Sequence, residues 1–180
     1  MIDTIDILDC YGESLGGVAH RIWVASADFV RTNISENVRS LQRNELRING
    51  DHLMFVDCML SENFLVEKSI GATRRRKLIT ELNFSIREVS ARNLGFVSNA
   101  RNYPLIFLIA DNNGNIWVMG THQNPAYLTN HEANTGKKHE EDSIIRLTFS
   151  ANTELRNYTA TMDDIPEIKT TNGSFGRGFR

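Results

Sequence analysis

The stretch Leu78-Ile79-Thr80-Glu81-Leu82-Asn83-Phe84-Ser85-Ile86-Arg87 constrains this chain more than any other. In an extended chain Leu78, Leu82, Phe84 and Ile86, with Thr80, share one side, and Glu81, Asn83, Ser85 and Arg87 share the other. Successive side chains of a strand point to opposite faces, so this alternation specifies a long strand with one face buried. On a helix Leu82 and Phe84 would point in nearly opposite directions. Ile144 to Ser150 repeats the pattern, with Ile145, Leu147 and Phe149 inward and Arg146 and Thr148 outward.

Further strands are expected at Arg21–Ala25, His52–Leu60, Phe64–Ile70 and Asn157–Met162. Pro104–Ala110 is almost continuously apolar, which suits a strand buried on both faces or one at the centre of the core. Asp111-Asn112-Asn113-Gly114-Asn115 separates it from the apolar run Ile116–Gly120. Asn-Gly between two such runs predicts a tight hairpin, here with a type I′ turn and positive φ at both central positions. From Arg87 to Ala100, Val89, Phe96, Val97 and Ala100 recur at helical spacing, with Ser90 placed to cap the helix. A second short helix is expected around Ala27–Val30. Many strands and little helix predict a mainly β fold: an antiparallel sandwich or barrel with one flanking helix. Gly12–Gly17, the polar segment Gln123–Asp142 and the tail from Asp163 to Arg180 read as loops and an extended C-terminal arm. Residues 1–162 are expected to form a single β domain and 163–180 the arm.

Composition narrows the functional classes. A formal net charge of -2 does not suit a polyanion-binding module, which needs an excess of Lys and Arg. The two cysteines, Cys10 and Cys58, lie far apart and outside any Cys-x-x-Cys, as expected of free thiols in a reducing compartment. The start of the chain lacks a basic segment followed by an apolar run, and Leu105–Ala110 is too short to cross a bilayer. The expectation is a soluble protein made in a cytoplasm.

The five histidines, His20, His52, His122, His131 and His139, form no His-x-x-x-His pair or other zinc spacing. His122, His131 and His139 lie in the polar segment with acidic neighbours, where a metal loop competes with a solvated loop. Asp111–Asn115 lacks the Gly and Glu positions of a calcium loop. Gly12-Glu13-Ser14-Leu15-Gly16 fits neither a nucleophile elbow nor a phosphate loop. No catalytic residue, cofactor or metal is therefore expected. Arg74-Arg75-Arg76-Lys77 is the one concentrated charge run and falls at a hairpin tip or strand end. It reads either as a solvated tip or as a contact with a neighbouring subunit or passing DNA. Glu140, Glu141 and Asp142 would complement it. Phe175, Arg177 and Phe179 in the arm would lie on a neighbouring subunit or stack on single-stranded nucleic acid. Trp23, Tyr103, Trp117 and Tyr127 offer stacking surfaces to a carbohydrate, although aromatics at strand positions are more often core.

Taken in order, these segments resemble a family of phage and prophage tail proteins common in Bacteroidetes genomes, small tail-tube-like or tail-ring structural proteins. The resemblance runs over roughly residues 10 to 150. It begins with Cys10, Gly16-Gly17 and the strand Ile22–Ala25, and continues with Asn63–Ile70, Leu78–Ile86 and the helix Ala91–Ala100. Its most telling part is Leu105–Gly120, with Asp111-Asn112-Asn113-Gly114 between a buried strand and an aromatic strand ending in Gly. Thr135-Gly136 and Leu147-Thr148-Phe149 complete it. The region Asp9–Arg47 does not align, and the tail beyond Met162 is extra, as in a specialised ring of a short-tailed crAss-like phage.

The resemblance implies a virion structural protein, located in the tail, whose sheets join between subunits to close a homo-oligomeric ring or tube. The partners it implies are further copies, other tail or portal-vertex proteins, and DNA passing through the lumen without sequence specificity. Independently of it, the short apolar runs argue against a membrane span and the missing motifs against catalysis. A β-sandwich that binds a carbohydrate or receptor on a tail is the alternative.

Overall fold

The computed structural model describes residues 16–32, 39–42, 45–48, 53–59, 63–136 and 141–160. Its strands, in chain order, are β1 (Val18–Ser26), β2 (Val30–Thr32), β3 (Ser40–Leu41), β4 (Leu46–Ile48), β5 (Leu53–Asp57), β6 (Phe64–Ile70), β7 (Lys77–Arg87), β8 (Leu105–Asp111), β9 (Ile116–Met119), β10 (Tyr127–Asn134), β11 (Ile144–Ala151) and β12 (Arg156–Tyr158). One α-helix, α1 (Ala91–Ala100), follows β7, and a 3-10 turn spans Ala27–Phe29. A six-stranded sheet has the order β3-β12-β9-β8-β1-β5, and a four-stranded sheet the order β10-β11-β7-β6. The short pair β2-β4 stands apart from both. The fold is mainly β and sandwich-like, and its sheets do not close into a barrel. Pairing is antiparallel except between β12 and β3, which run parallel.

The two alternating segments do what their period requires. β7 and β11 pair from Arg87 opposite Ile144 to Thr80 opposite Ala151. Leu82, Phe84, Ile86, Ile145, Leu147 and Phe149 are all buried and meet Ile22, Val24, Phe107, Ile109 and Met119 from the six-stranded sheet. At the centre Phe84 stacks on Phe149 at 5.7 Å, and Phe107 tilts against Phe149 at 4.7 Å. This cluster joins the two sheets through the largest of the fully buried side chains.

β8 is buried on both faces, as its unbroken apolar run predicts. Leu105, Phe107 and Ile109 enter the core between the sheets. Ile106 and Leu108 enter a second core with Val30, Leu41, Leu46, Val118 and Tyr158. The β2-β4 pair covers that second face, so one strand serves two cores.

The β8–β9 hairpin forms where expected but with a different turn. Gly114 has φ +84, and Asn113 is absent from the non-glycine residues of positive φ. Gly114 N donates to Asp111 O at 3.2 Å and Asp111 N to Asn115 O at 2.9 Å. This is a type I turn followed by one left-handed glycine, the three-residue hairpin loop. The Asp111 carboxylate selects it, accepting from Asn113 N at 2.9 Å and Asn115 N at 2.8 Å.

The helix begins at Ala91, because β7 runs on to Arg87 and Ser90 caps α1 by accepting from Asn93 N at 3.3 Å. Phe96, Val97 and Ala100 are its buried residues. The largest correction concerns Gln123–Asp142, expected to be a loop. Tyr127–Asn134 of that segment is an eight-residue strand paired with β11. Its only half-buried side chain is Leu128, and the others are exposed. An edge strand with both faces open to water has no buried side to impose alternation, so its hydrogen bonds to β11 hold it without leaving a period in the sequence. The last expected strand, Asn157–Met162, is shorter, at Arg156–Tyr158. Met162 and the C-terminal arm lie outside the described residues.

Candidate assembly surfaces

The four-stranded sheet presents three exposed features: a cationic tip, an acidic end and two edges. The tip is the β6–β7 turn. Gly71 has φ +103, and a Cβ there would stand 2.7 Å from Arg75 O, so only glycine fits this reversal. Arg74 takes φ 68, and Arg75 N closes the turn on Ala72 O at 2.9 Å. Arg74, Arg75, Arg76 and Lys77 are all exposed, and residues 68–79 contain no acidic side chain. Neighbouring cations repel one another across such a tip, and a negatively charged partner would relieve that repulsion.

Glu141 and Asp142 are exposed just before β11. Ile144 pairs with Arg87, the last residue of β7, whereas Lys77, its first, pairs with Ile70 beside the cationic turn. The acidic pair and the Arg run therefore sit at opposite ends of the sheet, separated by the length of β7, about 36 Å at 3.3 Å per residue. They do not pair with each other within one chain. Glu140 lies outside the described residues, as do Phe175, Arg177 and Phe179.

The edges are β6 and β10. Among the described residues neither has a second strand partner. β6 is seven residues long and β10 eight, so they are closely matched. Phe64 and Ile70 on β6 and Tyr127 on β10 are exposed large apolar side chains. The outer face between these edges is mixed. Phe64 stands beside Asn83, and Val66 beside Glu81. Thr148 is opposite Asn83, and Glu132 opposite Arg146.

The polar residues that sequence singled out serve structural roles where the chain is described. Asp111 also accepts from Asn115 Nδ2 and Trp117 Nε1, each at 2.9 Å. Burial works to raise its pKa and is the largest single influence, but the hydrogen bonds from Asn115, Trp117 and Asn113 together hold it below the ordinary value. Trp117 is thus oriented against the core by its own turn, and Trp23 packs on the second core. Of the four aromatics considered for stacking only Tyr127 is exposed. Phe64 is 51% exposed, which its sequence does not signal because the alternation around it reads as an ordinary strand.

His122 accepts from Arg31 through Nε2 at 3.1 Å while its Nδ1 faces Ala27 O at 3.0 Å. A carbonyl only accepts, so Nδ1 carries the proton, and the ring ties the 3-10 turn to the loop after β9. Burial first, and the neighbouring Asp57 second, push the Cys58 thiol up to about 12, so it is an inert free thiol. Among the described residues no three metal-ligating side chains gather, and no helix is long and apolar enough to cross a membrane.

No protein-family model and no curated protein matches this chain. Among solved structures, a chain of the cryo-EM structure of the anti-feeding prophage baseplate, 6-fold symmetrised, is similar at 11% identity. The match covers 80% of this chain and 96% of that chain with a TM-score of 0.38. At that score the likeness decides nothing further about this protein.

Proposed function

We propose that this protein is a structural subunit of a phage tail that assembles with copies of itself into a closed ring or tube around the DNA path. One observation carries the assembly: the two edges of the four-stranded sheet are matched in length and opposite in direction. With β10, β11, β7 and β6 alternating, β10 of one copy and β6 of the next run antiparallel in a cyclic arrangement. Each junction satisfies two rows of backbone groups that would otherwise template uncontrolled aggregation. The sequence resemblance to tail-tube-like and tail-ring proteins supplies the tail setting.

The polarity of charge along β7 agrees with this reading. A cationic tip at one end and Glu141 and Asp142 at the other allow rings to stack head to tail, with Arg74–Lys77 against the acidic end of the next ring. The formal net charge of -2 is compatible with a lumen to which DNA does not stick. The arm 163–180, with Phe175, Arg177 and Phe179, would lie along a neighbouring copy. The protein would act with other tail or portal-vertex proteins in the virion, after synthesis in the host cytoplasm, and without catalysis.

Mass photometry of the purified chain tests this directly. A discrete oligomer of many copies is the expected result, and a monomer at every concentration would overturn the proposal. Deleting residues 163–180 should shift the oligomer towards monomer without changing the urea midpoint of the monomer.

A further inference from the structure

The outer face of the four-stranded sheet is not flat. A shallow, open groove of about 590 Å³ crosses all four strands. Asn63 and Phe64 line it at the β6 edge, Asn83 and Thr148 at its centre, and Asn130 and Glu132 at the β10 edge, with Arg146 beside them.

Asn63 makes this more than a dent in a sheet. It is 7% exposed, and its Oδ1 accepts from Ser85 N at 3.2 Å. A backbone N–H can only donate, so this bond fixes which way the amide points. Nδ2 is then buried without a hydrogen-bond partner. Buried unpaired donors are rare and costly, so an acceptor oxygen brought to this one would be stabilised.

The lining selects the ligand class. Amides at Asn63, Asn83 and Asn130 combine donor and acceptor in one plane, which suits hydroxyl groups that also do both. Thr148 already donates to Asn83 Oδ1 at 2.7 Å, so this amide is held in place. Glu132 and Arg146 are register partners, and their opposite charges leave the groove without the cationic excess that a phosphate chain requires. At one end the exposed ring of Phe64 can stack on the apolar face of a pyranose.

We propose that this groove binds a neutral oligosaccharide, with Phe64 stacking on one sugar ring and the three asparagines hydrogen-bonding its hydroxyls. The proposal does not depend on self-assembly, which has its own readout in particle mass.

Calorimetry of the full chain with maltotriose, triacetylchitotriose and a heparin-derived tetrasaccharide tests it. At least one neutral trisaccharide should bind with one site per chain. Phe64→Ala should weaken that binding by up to about tenfold, the value of one aromatic contact. Asn83→Ala should weaken it as well, whereas Leu94→Ala, on the exposed side of α1, should leave it unchanged. Both groove residues have side chains on the open face, and unfolding midpoints equal to wild type confirm that each variant folds. If Phe64→Ala fails that check, Asn83→Ala alone decides. The proposal is overturned if neither neutral sugar binds at about 10 mM, ten times a ~1 mM Kd. It is equally overturned if the heparin fragment binds more tightly than both, or if the folded groove variants bind like wild type.

Discussion

Replacing Asp111 by Asn is the most informative single change to the fold, because its cost should depend on pH in a calculable direction. Four N–H groups converge on this carboxylate, two on each oxygen, at 2.8–2.9 Å. Asparagine keeps one acceptor oxygen but turns the other into an NH₂ group facing two donors. In a dry site the loss of two hydrogen bonds to a charge would cost about 3–6 kcal/mol. Asp111 is half-exposed, so water can take up the freed donors and solvent screens the charge. A total of about 1–2 kcal/mol at pH 7 is the discounted figure.

The sign of the pH effect follows from the direction of the shift. The folded pKa lies below the ordinary 3.8. The carboxylate therefore contributes its stability above 3.8, and that contribution is lost as pH falls through the lower, folded value. Wild type should lose it below that point, while Asp111→Asn has none to lose. Urea unfolding at pH 7 and at pH about 2.5 should show a gap of about 1–2 kcal/mol that closes on acidification. A gap of the same size at both pH values would refute the argument, because the cost would then be steric. No gap at pH 7 would refute it too.

Three further outcomes are expected. Phe149→Ala, which empties the centre of the inter-sheet cluster, should cost about 3–5 kcal/mol in urea unfolding; a loss under about 1.5 kcal/mol would mean that the sheets repack. Reversing Arg74, Arg75 and Arg76 to Glu should abolish stacking in electron micrographs while leaving the unfolding free energy within about 0.5 kcal/mol, as for exposed charges. Tyr127→Lys with Asn134→Lys places two charges on the exposed β10 edge and should shift the particle mass to monomer; retained oligomers would show that β10 is not the joining edge.

Much of the fold was legible in local patterns. Alternation in Leu78–Arg87 and Ile144–Ser150 named the two central strands and their inward residues, because a half-buried strand writes its buried face into every second position. The unbroken run at Leu105–Ala110 foretold a strand buried on both faces. The charge run at Arg74–Lys77 marked its own place at a turn, where Gly71 supplies the required positive φ.

Tertiary structure alone decided the rest. Tyr127–Asn134 is a strand only because β11 presents a row of backbone groups to it; its side chains, all exposed but half-buried Leu128, carry no signature of that pairing. The groove unites Asn63, Asn83 and Asn130 from three separate strand regions, none of them unusual in its own segment. Sequence by itself determined which residues would be buried and where the chain would turn, since those follow from local hydrophobicity and backbone freedom. Which edges stay open, which charges stand at opposite ends and which amides meet in one groove depend on sheet order, and only the packed structure sets that order.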